Sequence, residues 1–171
     1  MINTPKIIGF CGGSFGSNGV GKTTAANFVV KEFGFHYCSL SNAVEQSAIK
    51  LCKWDGKKDK DGLIILNQVC ASGRKINENY WLNITLASIP KNVDKVVFDD
   101  VYFKNEINFI KSKDGTIINI ERNGYVQPET DYYAVDLNLS YNIPNNSTIE
   151  DFQKTIRIIV TKLYNIKNAK L

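Results

Sequence analysis

Eight consecutive residues carry most of the chemistry this chain could perform. Gly16-Ser17-Asn18-Gly19-Val20-Gly21-Lys22-Thr23 fits the pattern G-x-x-x-x-G-K-[ST] at every fixed position. Glycines at these places let the backbone curl so that successive N–H groups face a phosphate chain. A helix opening after Gly21 would turn its positive end toward the same anion. Lys22 would reach the β- and γ-phosphates of ATP and Thr23 would ligate Mg²⁺, with Thr24 closing the ATP-binding run. Just upstream, Gly12-Gly13-Ser14-Phe15 lengthens the path into this loop and could bulge outward or touch the nucleotide.

A second element has the form that often accompanies such a loop: Val96-Val97-Phe98-Asp99-Asp100, an apolar strand ending in acid. A carboxylate there can hold Mg²⁺ directly or through water, and the sequence leaves open whether Asp99 or Asp100 does so. Arginine, the side chain suited to a two-pronged grip on phosphate, occurs only at Arg74, Arg122 and Arg157. Other chemistries are poorly provided for. His36 is the single histidine, at an expected strand start, so histidine catalysis is not expected. Cys11, Cys38, Cys52 and Cys70 form no C-x-x-C pair and read as reduced, mostly buried thiols. The N-K-x-D motif of GTPases is missing.

These residues need elements to hold them. Residues 6–11 read as a buried strand leading into the glycine-rich turn, and 23–33 as the helix behind it, ended by Gly34. A short strand over 35–39 and a helix opening at Ser41 follow. Residues 53–62, rich in Lys, Asp and Gly, read as a loop, with helices expected over 63–71 and 80–89. Strands are expected over 95–98, 116–120 and 135–139, a helix over 104–111 and a closing helix over 149–164. Strands alternating with helices imply an α/β fold: a mostly parallel five-stranded sheet with helices on both faces.

At 171 residues the chain reads as a single domain, with 53–62 and 122–133 as mobile segments that could cover a substrate. Its formal charge of +4 is small and spread, so small-molecule nucleotides are the expected partners and nucleic acid is not. No apolar run approaches the length of a membrane span, and no basic region followed by an apolar stretch opens the chain. A cytoplasmic protein is expected, and a homodimer is left open.

The series Trp54-Asp55-Gly56-Lys57-Lys58-Asp59, then Gly62, Leu66, Gln68, Gly73-Arg74 and Trp81, then Asp100-Val101-Tyr102-Phe103-Lys104-Asn105-Glu106 and Arg122, resembles the deoxynucleoside monophosphate kinases of bacteriophages. With the phosphate loop it spans residues 6 to 122, and Asn145 to Phe152 before the last helix is similar too. The resemblance implies a three-layer P-loop kinase fold related to adenylate kinase. It further implies transfer of the γ-phosphate of ATP, with Mg²⁺, to a deoxynucleoside 5′-monophosphate, and a host-cytoplasmic location if the source is viral. It also implies that the segment from Ser39 through Arg74 covers the monophosphate, with Arg74 on the acceptor phosphate and Trp54 or Trp81 near the base. For both tryptophans core packing is the competing role, and for Lys57 and Lys58 a solvated charge cluster. The chain departs from the family by carrying Leu63 and Tyr102 where arginines are expected, and Tyr132-Tyr133-Ala134-Val135 where a His-Ser-Glu cluster is expected.

An acceptor phosphate is already ionised near neutral pH, so transfer needs positioning and charge neutralisation rather than a base. Lys22 and an arginine, Arg74 or Arg122, would supply the positive charge. Two other functions fit the same loop. A kinase acting on a hydroxyl, of a nucleoside or a coenzyme precursor, would use a carboxylate base, for which Asp55 is the candidate. A regulatory protein could bind the nucleotide and transfer nothing.

Overall fold

Lys6–Cys11 shows no alternation with polar residues, and five of its six residues are buried, as a strand covered on both faces requires. In the computed structural model, which describes residues 6–13, 19–125 and 140–164, it is the middle strand of a five-stranded sheet. The chain runs β1 (Lys6–Cys11), α1 (Lys22–Phe33), β2 (His36–Cys38), α2 (Ser41–Cys52), α3 (Lys60–Ile76), α4 (Tyr80–Ser88), β3 (Lys95–Phe98), α5 (Lys104–Ser112), β4 (Thr116–Glu121), β5 (Tyr141–Pro144) and α6 (Ile149–Tyr164). The sheet order is β2-β3-β1-β4-β5. β1 is parallel to both β3 and β4, setting Ile8 opposite Val97 and Thr116, and β4 is parallel to β5, setting Ile120 opposite Ile143.

Successive side chains of a strand point to opposite faces, and the sheet uses both. Ile8, Phe10, Val97, Ile118, Ile120 and Ile143 share one core with Ala25, Ala26 and Val29 of α1 and Phe152, Ile156 and Val160 of α6. Each large apolar side chain buried there contributes about 1.5–3 kcal/mol. On the opposite face α5 comes so close that a Cβ on Gly9 would lie 2.7 Å from Ile110 and 2.9 Å from Val101. Glycine is what lets this helix reach the central strand. The Tyr164 hydroxyl donates to the Ile7 carbonyl at 3.1 Å and ties the end of α6 to β1.

Two compact units emerge from the contacts, one formed by residues 1–37 with 93–171 and the other by residues 38–92. The first contains β1, β3, β4, β5, α1, α5 and α6. In the second, α2, α3 and α4 pack on one another. Its helices meet over two indoles: a Cβ on Gly73 would lie 2.5 Å from Trp81, and one on Gly62 would lie 2.7 Å from Trp54 Nε1.

Several expectations from the sequence change. The loop assigned to 53–62 is shorter, because α3 opens at Lys60. Asp59 caps it by accepting the Gly62 N–H at 2.9 Å, and burying Gly62 beneath Trp54 offsets the weak helix propensity of glycine. Arg74, expected in a turn between helices, lies in the last turn of α3. The strand that pairs with β4 is Tyr141–Pro144; residues 135–139, expected as the last strand, lie outside the described residues. So do residues 126–133 of the segment 122–133. Cys11, Cys38 and Cys70 are buried thiols in no disulfide, and Cys52 is an exposed one. Among the described residues no helix is long and apolar enough to cross a membrane.

Candidate active site

Of the phosphate loop, Gly16, Ser17 and Asn18 lie outside the described residues, as do Ser14 and Phe15. The loop exit is described. Gly19 and Gly21 have φ of 122° and 108°, values that side-chain-bearing residues rarely adopt. Gly21 is the N-cap of α1, and no side chain caps the helix, which leaves its first N–H groups and its positive end for an anion. Thr24 is an exposed residue of that first turn, and Val20 is buried at the loop exit.

Lys22 is buried, and its Nζ donates to the Gly12 carbonyl at 2.7 Å while lying 5.2 Å from the centre of the Tyr102 ring. Burial pushes its pKa down, and the nearby Asp100 and Asp99 carboxylates oppose that shift. Beside it the Thr23 hydroxyl donates to Asp99 Oδ2 at 2.7 Å. Asp99 and Asp100 are both buried at the end of β3. Burial and the adjacent Asp100 charge push the Asp99 pKa up, against hydrogen bonds from Thr23 and Tyr37 that lower it. The other Asp99 oxygen, Oδ1, is buried with no hydrogen-bond partner among the described residues.

A buried carboxylate oxygen without a donor is costly unless something positive reaches it. The Thr23 hydroxyl and the Asp99 carboxylate are hard oxygen donors suited to Mg²⁺, which commonly takes one or two protein oxygens and fills its shell with water and phosphate. That requirement fits the residues present. No group of three or more His, Cys, Asp or Glu side chains gathers as a metal cage among the described residues. The pairing separates the two aspartates, since Asp99 is the one bonded to Thr23.

The far side of the loop exit is held by Arg122, a candidate from the sequence, and by Tyr125, Asn145 and Asn146, which sequence reasoning did not place in the site. Arg122 Nη1 donates to the Gly19 carbonyl, and its guanidinium lies 5.9 Å from the Tyr125 ring centre. The Tyr125 hydroxyl sits where a side chain on Gly19 would be. Asn145 Nδ2 donates to the Val20 carbonyl at 2.8 Å, and the Asn145 N–H donates to the Glu121 carbonyl at 2.7 Å. Between them lies a cavity of about 330 Å³ whose lining includes Gly13, Val20, Arg122, Asn123, Tyr125 and Asn146. Tyr125 and Asn146 meet there because β4 and β5 are neighbours, a pairing that no local sequence signal reveals.

The expected acceptor-site residues all belong to the 38–92 unit. Ser39 follows β2, its hydroxyl 3.1 Å from that of Ser41. Trp54 is buried and donates through Nε1 to the Lys57 carbonyl at 2.9 Å; Trp81 is buried and donates through Nε1 to the Cys70 carbonyl at 2.9 Å. The indoles thus do the packing work of this unit. Asp55 accepts the Lys57 N–H at 3.0 Å and pairs with Lys57 Nζ at 3.0 Å, contacts that lower the Asp55 pKa and raise that of Lys57. Lys58 pairs with Glu45 at 2.8 Å. Arg74 Nη1 donates to the Glu78 carbonyl at 3.1 Å. Trp54, Asp55 and Lys57 thus share one loop, while Arg74 lies beside the Gly73–Trp81 contact. Leu63 sits in the first turn of α3, and Tyr102 is buried against Lys22.

No model of a known protein family matches the chain. A protein of Acanthamoeba polyphaga mimivirus described as a "Putative deoxynucleotide monophosphate kinase" is 28% identical over 179 residues, covering 84% of this chain and 92% of that protein. The sequence resemblance to deoxynucleoside monophosphate kinases therefore returns in a relative spanning most of the chain. Among solved structures, shikimate kinase from Acinetobacter baumannii in complex with shikimate superposes with a TM-score of 0.50 and 14% identity, over 96% of each chain. At that identity the likeness speaks for the fold, an α/β P-loop kinase fold as the sequence led us to expect.

Proposed function

We propose that this chain is a phosphotransferase that moves the γ-phosphoryl group of ATP to a deoxynucleoside 5′-monophosphate. The observation that carries the proposal is the Thr23–Asp99 pair, with Asp99 Oδ1 left without a partner, beside the buried Lys22 at the head of α1. Thr23 and Asp99 would hold Mg²⁺, which when bound would neutralise phosphate charge. Lys22 would exchange its hydrogen bond to the Gly12 carbonyl for a phosphate oxygen and carry positive charge to the transferring group. Backbone N–H groups from Gly19 to Thr24 would bind the phosphates, together with Gly16, Ser17 and Asn18. The cavity beside Arg122, Tyr125 and Asn146 would take the base of ATP, with the Arg122 guanidinium toward the nucleotide.

Acceptor binding falls to the 38–92 unit. Arg74 would grip the acceptor phosphate, and Ser39, Lys57 and Lys58 would supply further polar contacts near Trp54 and Trp81. The acceptor oxygen needs no base, because a phosphate monoester is ionised at neutral pH. A hydroxyl acceptor would need one. Asp55 is the candidate, but hydrogen bonds from the Lys57 backbone N–H and side chain lower its pKa, which weakens it as a base. The relative described as a deoxynucleotide monophosphate kinase adds support for the monophosphate acceptor.

The test is direct: the protein is incubated with ATP and Mg²⁺ and with each deoxynucleoside monophosphate, ribonucleoside monophosphate or nucleoside in turn, and the products are separated. Diphosphate formed from at least one deoxynucleoside monophosphate is expected. Phosphorylated nucleosides in its place would move the function to the hydroxyl kinases, and ATP bound without any product would leave a regulatory binder.

A further inference from the structure

Lys22 is the side chain on which the proposed chemistry turns; the Asp100 and Asp99 carboxylates favour its charge from nearby, and two neutral groups lie against its ammonium. The Gly12 carbonyl accepts one N–H at 2.7 Å, and the Tyr102 ring lies 5.2 Å from Nζ, inside the range over which an aromatic face attracts a cation. The site is buried, with Lys22 at 6% and Tyr102 at 9% exposure, so this attraction is stronger than it would be at a wet surface. An aromatic face also leaves the remaining ammonium N–H groups free to point at phosphate oxygens. A carboxylate in the same place would compete with the phosphate; a ring does not.

The ring is itself held. The carboxylate of Glu106, buried in the first turn of α5, accepts the N–H of Tyr102 at 2.8 Å and the N–H of Phe103 at 2.9 Å. One residue upstream, the Val101 N–H donates to the Phe10 carbonyl at 3.0 Å and ties the segment to β1. Charge-assisted bonds at one end and a sheet-side bond at the other fix the backbone that carries the ring. We propose that Tyr102 is a positioning residue for Lys22, holding its ammonium at the phosphate site through its aromatic face, with Glu106 fixing Tyr102. The inference rests on the phosphotransferase reading, because it assigns Lys22 to phosphate.

The experiment measures binding of ATP with Mg²⁺, and of inorganic tripolyphosphate, by calorimetric titration without an acceptor. Tyr102→Leu should weaken both by about tenfold, while Tyr102→Phe, which keeps the ring, should stay within about twofold of the unmutated protein. Tyr102→Met serves as a second ring-free variant, and melting curves identify any variant that has not folded. In a Lys22→Met background the leucine substitution should change ATP affinity less than about twofold, since the group it positions is gone. Equal losses from phenylalanine and leucine would overturn the inference, as would an undiminished leucine effect without Lys22 or strong binding by both ring-free variants. In each of those cases the phosphotransferase reading stands. Failure of the unmutated protein to bind either ligand would overturn both.

Discussion

The two units of the chain hold their polar side chains in different ways. In the sheet-containing unit, apart from the Lys22 bond to Gly12 across 10 residues, the site's partners are far apart in sequence: Thr23 bonds Asp99 across 76 residues, Arg122 bonds Gly19 across 103, and Asn145 bonds Val20 across 125. In the 38–92 unit the bonds of the corresponding residues span less chain: Lys57 to Asp55 across 2 residues, Trp54 to Lys57 across 3, Arg74 to Glu78 across 4 and Trp81 to Cys70 across 11, with the Lys58–Glu45 pair the widest. Long-range bonds form only when the whole sheet is assembled, so the phosphate end arrives organised by the fold. Exposed local pairs such as Lys57–Asp55 cost little to break, and a ligand can trade for them. The difference would suit the proposed roles, a donor nucleotide gripped in one geometry and an acceptor side whose charges can be exchanged.

The sharpest way to break this contrast is at Lys22. Lys22→Met should lower turnover by about a thousandfold or more while the melting temperature changes little, measured by product formation with each accepted monophosphate. Turnover near that of the unmutated protein would dissolve the idea of an organised donor side.

Next in size is the acid pair. Asp99→Ala should cost about a hundredfold in Mg²⁺-dependent turnover and raise the Mg²⁺ concentration needed for half-maximal activity, and Asp100→Ala should cost less. A Mg²⁺ titration of the two variants checks the order, and a larger loss at Asp100 would reverse the assignment drawn from the Thr23 bond.

On the exchangeable side, Arg74→Ala should raise the acceptor KM about tenfold and lower kcat, with ATP affinity changed less than about twofold. Arg74→Lys should recover part of the loss, because a point charge cannot reproduce a two-pronged contact. ATP weakened more than the monophosphate would move Arg74 to the donor side.

The smallest effect concerns thiols rather than turnover. Cys11, buried in β1, has its pKa pushed up to about 12 by burial, so the reactive thiolate is scarce there at pH 8. Cys52, exposed at the end of α2, should alkylate first, and Cys11 only on unfolding. Peptide mapping after timed alkylation reads the order; early labelling of Cys11 would mean that the sheet unit opens far more readily than its long-range bonds suggest.

How much of this was legible in the sequence follows the same division by distance. β1 and β3 stand out because a strand buried on both faces must be an unbroken apolar run. The phosphate loop stands out because its constraints fall within eight residues. β5 does not, because Tyr141-Asn142-Ile143-Pro144 is a short edge strand where a polar residue and a proline are tolerated. The choice between Asp99 and Asp100 depended on Thr23, and the cavity beside Tyr125 and Asn146 depended on two strands lying side by side. Lys60 to Gly62 read as loop because they continue a charged run rich in Asp and Gly, whereas in the fold Asp59 caps the helix and the Trp54 indole covers Gly62.

Both tryptophans of the chain, Trp54 and Trp81, lie in the 38–92 unit. Light absorbed at the red edge of the protein band therefore excites that unit alone and leaves the sheet dark. Trp54 is bonded through its indole N–H to a carbonyl of the loop that holds Asp55 and Lys57, so its emission colour follows that loop. Trp81, wedged on Gly73 one residue from Arg74, follows the end of α3. The molecule thus carries two native fluorophores, both in the unit proposed to bind the acceptor, where a titration with a monophosphate could be watched without attaching a dye.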